Sequence, residues 1–89
     1  MPDRAEIRQI LIDLLEADTG EKYANLAEDN NLRDDLGLDS VDVVSIVSQI
    51  ERRFRIRLTH QELEKLAVVS DVLDLLQAKL ANPPETAAA

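Results

Sequence analysis

The residue types best suited to chemistry lie together, in Asp34-Asp35-Leu36-Gly37-Leu38-Asp39-Ser40-Val41-Asp42. A serine that opens a helix after a glycine turn, with an acid on either side, carries its hydroxyl in the first helical turn. Backbone amides point outward there without helical partners, and such a terminus accommodates an anion such as a phosphodiester. Val41 falls beside it on the ridge predicted to meet solvent, where an apolar side chain has no folding role. The same residue types also make an ordinary N-terminal cap, because Ser and Asp are the usual capping residues. On spacing alone both readings stand.

Other constellations carry less. Ser40, His60 and Asp42 hold the residue types of a hydrolytic triad, yet nothing directs His60 toward Ser40, and no strand precedes the serine as a nucleophile elbow requires. Asp29, Asn30, Asn31, Asp34 and Asp35 lack the spacing of a calcium loop, which makes a solvated acidic loop the expectation. No catalytic residue and no metal site are therefore expected. The chain has no cysteine, so thiolate nucleophiles, disulfides and sulfur-ligated metals are excluded from the polypeptide, and any thiol chemistry must be imported.

The elements that position Ser40 are helical. Ile7, Ile10, Leu11, Leu14 and Leu15 follow the spacing of an amphipathic helix. Asp3 and Glu6 form its capping box, and Asp18, Thr19 and Gly20 place its end near Ala17. Residues 21–39 show no long period. Leu26, Leu32, Leu36 and Leu38 are apolar anchors through that acidic stretch, so an ordered loop is expected, with at most a short turn of helix. A second helix starts at Asp39 or Ser40. At 100° per residue, Val43, Ile46, Val47, Ile50 and Phe54 share its core face, and Val41, Ser45, Ser48 and Arg52 lie on the opposite ridge. Residues 53–58 alternate in a strand-like way over six positions only. A T-x-x-E capping box at Thr59 and Glu62 opens a short segment with Leu63 and Leu66 inward. Ser70 is the expected cap of a last helix carrying Val72, Leu73, Leu76 and Leu80, with Val69 as a staple before it and Asn82, Pro83 and Pro84 as its stop.

Length and composition bound the rest. At 89 residues the chain has room for one domain, with 45% apolar and 31% charged residues in the range of globular proteins. The domain is expected over residues 1–81, followed by a mobile tail at 82–89. Eighteen acids against ten basic residues give a formal net charge of −8, which repels phosphate backbones and anionic lipid. Tyr23 and Phe54 are the only aromatics, too few for the stacking platforms of single-strand binders. The longest apolar run, 66–69, cannot cross a bilayer, and the N-terminal residues show no secretory pattern. No nucleic acid, no membrane insertion and a cytoplasmic location are expected.

The stretch from Asp35 through Asp42 resembles the phosphopantetheine attachment motif of acyl carrier proteins, whose usual form is D-L-G-x-D-S-L-D. Three features coincide with it: helix-loop-helix spacing around the motif, E-x-x-F at Glu51 and Phe54, and V-x-D-V from Val69 to Val72. The similarity covers residues 7–80. It implies an all-α fold, a small antiparallel four-helix bundle with a long first loop and a short third helix. It implies 4'-phosphopantetheine esterified to Ser40, transferred from coenzyme A by a separate Mg-dependent phosphopantetheinyl transferase. The terminal thiol would then hold an acyl or aminoacyl group as a thioester for acyl- or aminoacyl-ligases and acyltransferase-type enzymes. The carrier would be non-catalytic and monomeric, raising the effective concentration of its cargo at each partner. Asp39, Val41, Asp42, Ser45, Ser48 and Arg52 would form the docking surface.

Departures from the family pattern point to a specialised pathway. The second helix is commonly acidic, whereas here only Asp39, Asp42 and Glu51 keep that character. Residues 51–57 hold four arginines and one glutamate, a local +3, so that the remainder carries −11. His60 and Gln61 stand where acids are common. Such a charge swap changes partner choice through repulsion as well as attraction, and the simpler alternative is that the arginines balance Glu51, Glu62 and Glu64. From other classes, a cofactor-free helical interaction bundle is the runner-up. A helix-turn-helix regulator is opposed by the net charge.

Overall fold

Four helices make up the regular structure of residues 2–81, the part of the chain that the computed structural model describes: α1 (Arg4–Thr19), α2 (Ser40–Phe54), α3 (His60–Glu64) and α4 (Val69–Ala81). Among the described residues the only extended pairing is an isolated bridge between Asn31 and Val68. The fold is the expected all-α four-helix bundle, with a long first loop and a short third helix. Asn82, Pro83, Pro84 and the expected tail at 82–89 lie outside the described residues.

Capping boxes fix where three helices begin. Asp3 and Glu6 close one at α1, Asp39 and Asp42 at α2, and Thr59 and Glu62 at α3, each side chain taking a backbone amide of the other residue. Each cap of this kind stabilises its helix by roughly 1 kcal/mol. The end of α1 differs from expectation: the helix continues past Ala17 to Thr19, whose hydroxyl donates to the Leu15 carbonyl at 2.8 Å, and Gly20 at φ 78° forms the left-handed cap. The start of α4 also differs. Ser70 does not cap it, because the helix begins at Val69 and Asp71 accepts the amides of Ala67 and Val68 at 2.9 and 3.0 Å. Val69, rather than stapling from outside, is fully buried in the first turn.

One core joins α1, α2, α4 and the loops between them. Ile7, Leu11, Ile12 and Leu15 of α1 meet Ile46 and Ile50 of α2 and Val69, Val72, Leu73 and Leu76 of α4, and α1 packs directly on both other helices. Ile12, absent from the expected face, is buried, whereas Ile10 is half-buried. The loop at 21–39 contains turns and no helix, and it is ordered by Leu26, Leu32 and Leu38, all buried. Its backbone is pinned to the start of α4: Ser70 donates to the Glu28 carbonyl at 2.8 Å, Val69 to Asn30 at 3.0 Å, and Leu32 to Ala67 at 3.0 Å. Arg4 ties the far edge, its Nε donating to Glu28 at 3.0 Å and its Nη1 to Asp74 at 2.8 Å. A loop this long holds a fixed course because it shares the core of the helices.

Candidate functional site

The sequence around Ser40 alternates burial and exposure in a way that explains each residue type. Asn31 organises the turn before it, its side chain accepting the amides of Arg33 and Asp34 at 2.9 Å, while Asp35 accepts the Asn31 amide at 2.6 Å. Two residues of the would-be cation loop are thus engaged in turn formation. Leu36 rests half-buried on the core, Gly37 turns the chain at φ 70°, and Leu38 drops inside, its amide donating to the Leu32 carbonyl at 3.1 Å. A positive φ at that point favours glycine. Leu38 anchors the chain just before Asp39, and Asp39 adopts the extended conformation of an N-cap. Ser40 is the first helical residue and is exposed.

Asp39 Oδ1 accepts the Asp42 amide at 2.9 Å and Asp42 Oδ2 accepts the Asp39 amide at 3.3 Å. Val43 donates to the Asp39 carbonyl at 3.0 Å. Among the described residues, the amides of Ser40 and Val41 and the Ser40 hydroxyl make no hydrogen bond. The hydroxyl is therefore reachable, and the first-turn donors face outward beside it.

Next to Ser40, an open apolar depression is lined by Val41, Val44 and Ser45. Val41 is 75% exposed and Val44 66%, the large apolar side chains most open to solvent among the described residues. Val44 was not among the residues expected on this ridge, although it stands three positions after Val41 and helical spacing brings the two together. Ser45 is less free than expected: it is half-buried, its hydroxyl donating to Asp18 at 2.7 Å and accepting from Gln49 at 3.3 Å. The extra length of α1 supplies that partner. Ser48 and Arg52 are exposed, and Asp42 is half-exposed. His60 sits on α3 with its Nε2 3.2 Å from Glu64, both side chains open to solvent.

Beneath α2 lies a small apolar cavity of about 30 Å³, bordered by Val43, Ile46, Ile50, Leu66, Val72 and Leu76 among others. It has room for about one water-sized group. Among the described residues no group of acids and histidine is arranged to hold a metal ion.

Comparisons with known proteins agree with this geometry. Residues 5–76 match the family described as "Phosphopantetheine attachment site". An acyl carrier protein of Exiguobacterium sp. (strain AT1b) is 36% identical over 75 residues, spanning 81% of this chain and 95% of the relative. One from Thermotoga maritima is 31% identical over 80 residues, spanning 90% and 99%. Among solved structures, a crystal structure of an acyl carrier protein from Thermotoga maritima superposes with a TM-score of 0.81 at 27% identity, over 88% of this chain and 91% of that one. The apo doublet acyl carrier protein from prodigiosin biosynthesis shares the fold, with a TM-score of 0.69 at 23% identity over 88% of this chain and 38% of the other.

Proposed function

The chain belongs to the acyl carrier family, carriers that bear a covalently attached 4'-phosphopantetheine, and from that premise we propose that Ser40 is the attachment point and the ridge of α2 the docking surface. The observation that carries this reading is Ser40 itself, exposed at the first position of α2 with an unengaged hydroxyl beside two outward amides. The residues fit the group: Oγ can reach an approaching active site, and the Ser40 and Val41 amides face the place of a phosphodiester anion. When bound, the arm supplies the thiol that this cysteine-free chain lacks.

The chain contributes position and leaves activation to its partner. In loading, Ser40 Oγ would form the new phosphodiester bond as the pyrophosphate of coenzyme A breaks and adenosine 3',5'-bisphosphate leaves. Its proton would go to a base on the transferase. Asp39 and Asp42 each give one carboxylate oxygen to the capping box, and among the described residues neither accepts the Ser40 hydroxyl. Ser40 thus has no activating group of its own among the described residues, which supports a non-catalytic carrier. Its partners are a phosphopantetheinyl transferase and acyl-handling enzymes.

Val41 and Val44, with Asp39, Asp42, Ser48 and Arg52, make up the surface those partners meet, and Ser45 borders it from its bond with Asp18. The cavity under α2 is too small for an acyl chain unless the helices move apart. The departures from an acidic second helix support service in a dedicated pathway, and the domain works as a cytoplasmic monomer over residues 1–81. No helix among the described residues is long and apolar enough to cross a membrane.

The test is the intact mass of the protein before and after incubation with coenzyme A, Mg and a broad-specificity phosphopantetheinyl transferase. One phosphopantetheine should add to the wild type and none to Ser40→Ala. A folded wild type left unmodified by several transferases would shift the reading to a cofactor-free interaction bundle.

A further inference from the structure

Four arginines, Arg52, Arg53, Arg55 and Arg57, crowd the end of α2 and the residues after it, and all four are exposed. Among the described residues none of them reaches a carboxylate, whereas Arg4 alone engages two. The acids that might neutralise them are committed elsewhere. Glu51 accepts the Leu58 amide at 2.9 Å, Glu62 accepts the Thr59 amide at 2.8 Å and pairs with Lys79 at 2.9 Å, and Glu64 pairs with His60. The helix dipole accounts for Arg52 and Arg53 in the last turn. It does not account for Arg55 and Arg57, which lie beyond the helix. Arg55 moreover takes the left-handed conformation at φ 57°, where glycine is the usual residue.

We infer that these arginines form a docking site for an acidic protein surface, on an acyl-handling enzyme that engages α2. Four unpaired guanidinium groups on a chain of net charge −8 are a local reversal that attracts carboxylates, which arginine holds in a two-pronged fork. Val41, Val44, Ser48 and Arg52 stand on one ridge at steps of three, four and four. A partner lying along α2 therefore meets apolar side chains beside Ser40 and cationic ones about 18 Å further on. Acidic patches fit that order, and basic ones are repelled at its far end. The inference rests on the carrier reading for the identity of the partner.

The test measures equilibrium binding of the unmodified protein to a panel of purified acyl-ligases and transacylases, sorted by the charge of the face around their pantetheine channel, at low and high salt. The wild type is compared with Arg52→Gln/Arg53→Gln/Arg55→Gly/Arg57→Gln and with the same four positions changed to Glu, all checked for helical content. Enzymes with acidic faces should lose about tenfold or more in affinity toward the Glu variant, with the difference shrinking at high salt. Equal binding of all three proteins, or a preference of basic-faced enzymes for the wild type, would overturn the inference. Phosphopantetheine addition to the wild type is measured separately. Its absence alongside the charge-dependent pattern would sink the carrier reading and leave the acidic-partner surface standing.

Discussion

Asp39 and Asp42 grip each other's backbone across Ser40 and Val41, Asp39 Oδ1 taking the Asp42 amide at 2.9 Å and Asp42 Oδ2 the Asp39 amide at 3.3 Å. Two acids flank the exposed serine, and each gives one carboxylate oxygen to the start of the helix. They hold Ser40 at a fixed place on the first turn.

Removing one side of that grip should loosen the helix start. Asp39→Ala is expected to cost about 1 kcal/mol, and a loss of that size lowers Tm by about 4–8 °C in a domain of this length. Asp39→Asn keeps a side-chain oxygen and should melt close to the wild type. Thermal denaturation of the three proteins checks this, and equal losses in both variants would assign the effect to charge instead of capping.

Leu38 belongs to a loop, yet it is only 5% exposed and lies with α2 and α4 side chains at the core. Leu38→Ala should therefore destabilise like a helix-core deletion, by about 2–4 kcal/mol. Urea unfolding measures it. A loss below about 1 kcal/mol would mean that the loop moves inward to close the gap.

Much of this was legible in the residues. The capping pairs at Asp3, Asp39 and Thr59 announce helix starts, because one short polar side chain three positions before an acid or amide has a single favourable use there. Helical spacing gave the inner faces of α2 and α4. What escaped was tertiary. Asp71 displaced Ser70 as the organiser of the α4 start because the loop at 28–32 occupies the neighbouring backbone groups, and no local pattern reports that pairing. Ser45 left the open ridge through Asp18, a residue 27 positions away. Val44 was within reach of spacing alone, as its ridge is shared with Val41.

Arg55 offers a separation of charge from folding. Its φ of 57° disfavours a side chain with a Cβ, by roughly 1–2 kcal/mol, against which glycine gains unfolded-state freedom worth about 0.4–1 kcal/mol. Arg55→Gly should leave Tm unchanged or slightly raised. A marked drop in Tm would reveal a stabilising contact of the arginine, and the variant would no longer report on docking alone.

Acid should weaken the fold through groups that the structure identifies. The amides of Val68 and Ala67 hold the Asp71 carboxyl below its ordinary range, the Thr59 amide and then Lys79 do so for Glu62, and Arg4 does so for Glu28. Each group is more acidic folded than unfolded, so its contribution is complete above the unfolded carboxylate range, near pH 4 to 4.5, and fades as pH falls through the lower folded value. Relief of general repulsion on this acidic chain runs in the opposite direction, so a single variant must be compared with the wild type at each pH. Asp71→Asn should melt below the wild type at about pH 7, and the gap should close as pH falls through the lowered folded value of Asp71. A gap that persisted unchanged into acid would mean that Asp71 acts at the start of α4 by shape and hydrogen bonding, with no share from its charge.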